Sequence, residues 1–149
     1  MKVTVEVDIE RPADEVFAYL EDAENNPKWI PNMRSCRWTM PRPIGLGSRY
    51  EQVSRFLGRD VHTNFEVTRH EPGRLITIES REGSSFPITV TRSVERRGEA
   101  ACHAREDTEG DASGFYSIAE PLMRPMVVRN IRRIYRNLKT MMESPARAG

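Results

Sequence analysis

Val3, Val5, Val7 and Ile9 alternate with Lys2, Thr4, Glu6, Asp8 and Glu10. That period of two predicts a strand with one buried face. Pro12 then stands where a helix is entered, with Asp14 and Glu15 beside the positive end of its dipole. Val16, Phe17 and Leu20 form the apolar face of this short helix. Asp22 is placed to cap a second short helix. Asn25, Asn26 and Pro27 break or re-aim it before Trp29 and Ile30, and Pro31 closes the segment.

From residue 33 to 109 the pattern is one of strands and turns. Cys36, Trp38 and Met40 share one parity, and a loop rich in proline and glycine, Pro41–Ser48, follows. Tyr50, Gln52, Ser54 and Phe56 share a face opposite Arg49, Glu51 and Arg55, and Gly58 marks a tight turn. Val61, Thr63, Phe65 and Val67 alternate with Asp60, His62, Asn64 and Glu66. In Glu71-Pro72-Gly73-Arg74 the proline presets φ and the glycine accepts a positive one, which makes a turn. Leu75–Arg81, Phe86–Glu95 and Glu99–Thr108 complete the run, with Gly83 and Gly98 in the connections. Strands joined by short hairpins predict an antiparallel meander.

Residues 110–114 read as a flexible connection, and the chain is then helical to about residue 143. Met123, Val127, Ile131, Ile134, Leu138 and Met141 recur at helical spacing and form one buried stripe, which Leu122, Met126 and Met142 widen. Pro125 lies where the helix begins or kinks, and Ser144-Pro145 ends it. A helix of this length, roughly 30 Å, matches a strand of about ten residues. The order is therefore strand, two short helices, about six strands, long helix. The expected fold class is α+β, with a seven-stranded curved antiparallel sheet around a long C-terminal helix. A sheet that wide must curl to reach one helix about 10 Å across. Such a wrap leaves space inside, and a methionine-rich stripe suits a deformable cavity.

Composition changes this picture little. The 149 residues fit a single domain over 1–149, with 145–149 as a flexible tail. The net charge of +1 hides a polarity. The first 26 residues are acidic and the last helix is basic, through Arg124, Arg129, Arg132, Arg133, Arg136 and Lys139. The two ends are expected to attract across the fold. Aromatic residues do not interleave with these bases except at Tyr135, which argues against nucleic acid and leaves transient membrane contact open. Cys36 and Cys102 form no Cys-x-x-Cys pattern and read as buried reduced thiols in a cytoplasmic protein. The N-terminus opens directly on a strand pattern, with no signal-peptide pattern before it, and no apolar run is long enough to span a membrane. A monomer and a homodimer are equally compatible with these features.

Ile9-Glu10-Arg11-Pro12-Ala13-Asp14-Glu15-Val16-Phe17-Ala18-Tyr19-Leu20-Glu21-Asp22, with Asn25-Asn26-Pro27-Lys28-Trp29 after it, resembles the opening of the START/Bet v 1-like (SRPBCC) superfamily. The polyketide cyclase/dehydrase-like branch is the nearest in pattern. Gly45-Leu46-Gly47-Ser48-Arg49-Tyr50, Phe65 to Leu75, and Asn137-Leu138-Lys139 agree in order along nearly the whole chain. The resemblance implies a helix-grip fold with a cavity between sheet and helix. Members include lipid and sterol carriers, hormone receptors, aromatase/cyclases and chaperone-associated domains, so the fold does not by itself assign a task.

Chemistry is sparse. His62, His70 and His103 form no metal-binding spacing, and no nucleophile elbow, phosphate loop or dinucleotide fingerprint is present. No cofactor or metal is expected. The leading expectation is a binding module for a small hydrophobic molecule: a lipid, an isoprenoid or a polyketide-like compound. Its expected ligand-binding residues are Trp38, Tyr50, Gln52, Thr63, Phe65, Phe86 and Ile88 from the sheet, with Met123, Met126 and Val127 from the helix. Phe56 and Val90 are further apolar candidates, and Trp29 is expected in the core. A cyclase or dehydratase is the alternative. It needs donors for an enolate, which Tyr50, Gln52, Thr63 and an inward Arg92 or Arg105 would provide. A protein-interaction domain is a third reading.

Overall fold

The computed structural model describes residues 1–145, so the tail expected at 145–149 lies, apart from Pro145, outside the described residues. Strands β1 (Lys2–Ile9), β2 (Met33–Trp38), β3 (Arg49–Phe56), β4 (Arg59–Glu71), β5 (Leu75–Ser80), β6 (Ile88–Arg96) and β7 (Cys102–Gly110) form one sheet. Its order is β1-β7-β6-β5-β4-β3-β2, antiparallel throughout. Helices α1 (Ala13–Glu21) and α2 (Asn26–Trp29), joined by a single 3-10 turn at Ala23–Asn25, follow β1. A one-turn α3 (Ser113–Tyr116) precedes the long α4 (Glu120–Met142). This is the helix-grip arrangement.

Period-two patterning holds in most strands. Val61, Thr63, Phe65 and Val67 are buried in alternation along β4. Two bulges, at Met33/Ser35 and at Val67/Arg69, shift the register and bend the sheet. Three expected boundaries move. Phe86 and Pro87 lie outside β6, because a proline at that point cannot donate to the ladder. Strand β7 begins at Cys102 rather than near Glu99. The connection after Gly110 contains α3 and is not wholly irregular.

The long helix is held at one end. Ile131, Ile134, Tyr135, Leu138 and Met142 are buried in its C-terminal half, whereas Met123 alone is fully buried before them. Trp29 of α2 meets Tyr135 edge to face at 5.3 Å. Asn137 Nδ2 donates to the Trp29 carbonyl at 2.8 Å, and Lys139 Nζ donates to the Asp8 carbonyl. The Glu10 amide donates to Glu143 Oε2 at 2.8 Å. Helices α1 and α2 therefore plug this end, and the N-terminal half of α4 crosses open interior.

The expected attraction between acidic and basic ends takes another form. Among the described residues, Asp8 pairs with Arg97 and His103, Glu6 with His103 and Arg105, and Asp22 and Glu24 with Arg42. Arg129, Arg132, Arg133 and Arg136 pair with none of the N-terminal acids. Arg124 and Lys139 donate instead to the Lys2 and Asp8 carbonyls, and the N-terminal ammonium pairs with Glu120, because β1 turns its acidic face away from α4. Among the described residues no helix is long and apolar enough to cross a membrane.

Leu138 is fully buried in this anchored half. Leu138→Ala is expected to cost about 2–5 kcal/mol of stability. Arg132→Ala on the exposed face should stay within about 0.5 kcal/mol. Urea unfolding of both variants checks the contrast.

Candidate functional site

Two adjoining chambers lie between the sheet and α4, each of about 170 Å³. Gln52, Ser54, Ile88, Thr108, Asn130 and Ile131 border both. The outer chamber is mainly apolar, lined by Val3, Phe56, Val61, Phe86, Met123 and Val127. Tyr116 of α3 forms part of its wall. Tyr116 donates its hydroxyl to the Phe56 carbonyl at 2.8 Å, and the two rings meet edge to face. The Arg59 guanidinium lies 3.8 Å over the Phe115 ring and also donates to the Phe115 carbonyl.

The inner chamber ends on charge. Arg92 and Glu106 are each 8% exposed, on adjacent strands at the same level of the register. Arg92 Nε donates to Glu106 Oε1 at 3.1 Å. Its Nη1 donates to the Leu20 carbonyl at 3.2 Å and to Asn26 Oδ1 at 3.0 Å. Tyr135 donates to Glu106 Oε1 at 2.9 Å, and Thr108 donates to Oε2 at 3.1 Å. The guanidinium also lies 5.0 Å from the Trp29 ring. Burial opposes the charge of Arg92, but Tyr135 and Glu106 outweigh it and hold the guanidinium above its ordinary pKa. A buried ion pair persists only when further hydrogen bonds support it, and here Arg92 Nε and Nη1 and both Glu106 carboxylate oxygens have partners.

Tyr50 stands beside this pair. It is 3% exposed, and its ring contacts Trp38 at 5.0 Å and Phe65 at 5.2 Å. Its hydroxyl has no hydrogen-bond partner among the described residues and borders the inner chamber. Burial pushes its pKa well up, so it remains a donor. The Cys36 thiol donates to Gln52 Oε1 at 3.7 Å and is half-buried, not fully buried as expected. Burial pushes it up to about 11. Trp29 Nε1 and Asn32 Oδ1, also on the inner wall, are buried without partners among the described residues.

Of the residues proposed from sequence, Gln52, Thr63, Phe86, Ile88, Met123 and Val127 line the outer chamber. Tyr50 and Phe65 line the inner one. Trp38 lies behind Tyr50, with Nε1 donating to Asp22 Oδ1 at 2.9 Å, and reaches neither chamber. Met126 faces an outer groove, because it sits about a quarter-turn from the Met123 stripe. Arg92 points inward, and Arg105 points out to pair with Asp107. Glu106, Asn26, Asn32, Asn130 and the Tyr135 hydroxyl were not anticipated. Glu106 did leave a signal: it shares parity with Cys102 and Ala104, a carboxylate on an otherwise buried face.

Residues 1–143 match the family described as polyketide cyclase / dehydrase and lipid transport, and the chain belongs to that family. A START superfamily protein from Mycobacterium smegmatis superposes with a TM-score of 0.80 at 16% identity, covering 95% of this chain and 97% of that one. The ginseng major latex-like protein 151 from Panax ginseng gives 0.70 at 16% identity, covering 97% and 98%. The di-domain ARO/CYC BexL from the BE-7585A biosynthetic pathway gives 0.70 at 16% identity, covering 93% of this chain and 45% of that one. At such identities the likeness is one of fold. Among curated proteins none matches the sequence.

Removing one partner of the buried pair strands the other. Glu106→Leu is expected to cost about 3–5 kcal/mol, and the double change Arg92→Met with Glu106→Leu should recover most of it. Urea denaturation of the single and double variants measures the difference.

Proposed function

We propose that this protein binds a small, largely apolar molecule between the sheet and α4, with its polar end at Tyr50, Gln52 and Arg92. The observation that carries the reading is the graded cavity, apolar at Phe86, Ile88 and Met123 and more polar where Tyr50, Arg92 and Glu106 line the inner chamber. Apolar burial supplies most of the affinity in such sites, and a few polar groups set orientation. A cavity of about 150 Å³ holds a single benzene ring. Two chambers of that size end to end suit an elongated or few-ringed ligand such as an isoprenoid, a lipid chain or an aromatic polyketide. The lining would take Tyr50, Gln52, Thr63, Phe65, Phe86, Ile88, Met123 and Val127 as ligand contacts. The family's descriptions of lipid transport and of cyclisation support a ligand of this class. A cytoplasmic setting would keep Cys36 and Cys102 reduced.

A cyclase or dehydratase is a second reading, favoured by the convergence of Tyr50 and Arg92. A neutral phenol and a guanidinium are donors suited to a developing enolate oxygen. Glu106 would not be its base, because Arg92, Tyr135 and Thr108 already occupy the carboxylate.

N-phenyl-1-naphthylamine should bind saturably with enhanced, blue-shifted emission. Val127→Trp, which fills the outer chamber, should weaken it about tenfold or more, since overpacking a filled site is costly. Absence of saturable binding, with native mass spectrometry showing no retained small molecule, would overturn the binding reading. Tyr50→Phe separates the two readings. It should leave probe affinity within about twofold under simple binding, and should abolish turnover of a polyketide thioester while retaining binding if the protein is a cyclase.

A further inference from the structure

The helix that closes the cavity has a second face. Leu122, Met126, Arg129 and Arg133 recur at i, i+4, i+7 and i+11, one stripe on the outer side of α4. Met126, Arg129 and Arg133 line a groove against the tip of the β3–β4 hairpin, with Phe56 and Leu57 opposite. Leu122 is 68% exposed and Leu57 is 41% exposed. The other large exposed apolar residues, Met40 and Leu46, lie beyond the opposite end of β3.

Leu57 is the odd residue of this surface. Phe56 pairs with Arg59, so Leu57 and Gly58 alone form the turn. Their φ values are 51° and 77°. A two-residue turn with both φ positive selects Asn-Gly, because asparagine tolerates the left-handed region and leucine does not. The chain therefore bears both a backbone strain and an exposed apolar side chain at one position, where a polar residue would relieve both. Local backbone strain clusters at functional sites.

Charge on the same surface is equally unbalanced. Arg129, Arg132, Arg133 and Arg136 are exposed and make no ion pair among the described residues. Arg124 donates to the Lys2 carbonyl and makes no ion pair among the described residues. On this side the neighbouring base Arg55 is matched by Asp60. Glu143, which caps the C-terminal end of the helix, is taken by Lys139. The result is unpaired guanidinium groups beside protruding leucines, at the rim of the outer chamber: Phe56, Asn32 and Asn130 border both groove and chamber.

We propose that this surface, made of the β3–β4 tip and the outer stripe of α4, docks onto an anionic lipid bilayer. The arginines meet the phosphate headgroups, and Leu57 and Leu122 enter the boundary beneath them. Arginine forks match phosphate geometry, and basic residues near an anionic leaflet act additively. Apolar tips add partition energy that a purely electrostatic partner would not use. The docking stands on these observations independently of what fills the cavity.

The test is co-flotation of the full chain with phosphatidylcholine vesicles and with phosphatidylcholine/phosphatidylglycerol vesicles. Binding is expected to the mixed vesicles alone and to weaken as salt rises. Arg129→Glu with Arg133→Glu should reduce it roughly tenfold or more. Leu57→Asn should reduce it roughly fivefold while holding or raising the urea midpoint, because asparagine suits the turn. Failure to float with mixed vesicles, or equal binding to neutral ones, overturns the proposal. So does an unchanged affinity in the charge-reversed variant. Loss in that variant with no effect of Leu57→Asn points to an acidic protein or nucleic acid and overturns it as well. Light scattering that shows a dimer dissociated by either variant assigns the face to a second copy and overturns it too.

Discussion

A seven-stranded sheet presents more inner surface than one helix can cover, and the rest of the molecule is arranged around that mismatch. The sheet curls at its two bulges, and α1 and α2 fill one end. There, Trp29, Tyr135, Leu138 and Met142 are fully buried. At the other end nothing comparable enters, and the uncovered inner faces of β3, β4, β6 and β7 become chamber wall. The same stripe of α4 therefore serves two purposes. Its last three turns are core, and its first turns are roof.

The boundary between packed and open interior is where the charge sits. A buried arginine has a large desolvation penalty, and Arg92 meets it with Glu106, Asn26 and the Leu20 carbonyl. Those partners come from a strand, a short helix and the end of another helix. The network thus ties the plug to the sheet while presenting a polar end to the cavity. Tyr50 completes that end with a hydroxyl left free by the protein and kept protonated by burial. An apolar roof and a polar floor would give a bound molecule a direction, which a uniformly apolar cavity would not.

The outer surface repeats the asymmetry. Acidic residues of β1 are consumed by Arg97, His103 and Arg105 on the outside of the sheet. The arginines of α4 keep their charge because they face the other way. Helix α4 thus separates an apolar interior from a basic exterior, and its N-terminal half places both beside the cavity mouth.

Much of this was written in the order of residues. Alternation in β1, β3 and β4 named the inner faces, including Gln52, Thr63 and Phe65, because a strand has a period of two and no freedom within it. The stripe from Met123 to Met141 announced one long helix with a buried face for the same reason, with a period of 3.6. Other features depended on partners distant in the chain. Glu106 went unnoticed although it shares parity with Cys102 and Ala104, and only the pairing of β6 with β7 set it against Arg92. Trp38 and Met126 had the residue types of cavity lining. The curl of β2 and the rotation of α4 carried one behind Tyr50 and the other into the outer groove. Local sequence determines which face of an element is apolar. Tertiary structure alone decides whether that face meets another side chain or an empty space, because the void is the part of the interior that no element reaches.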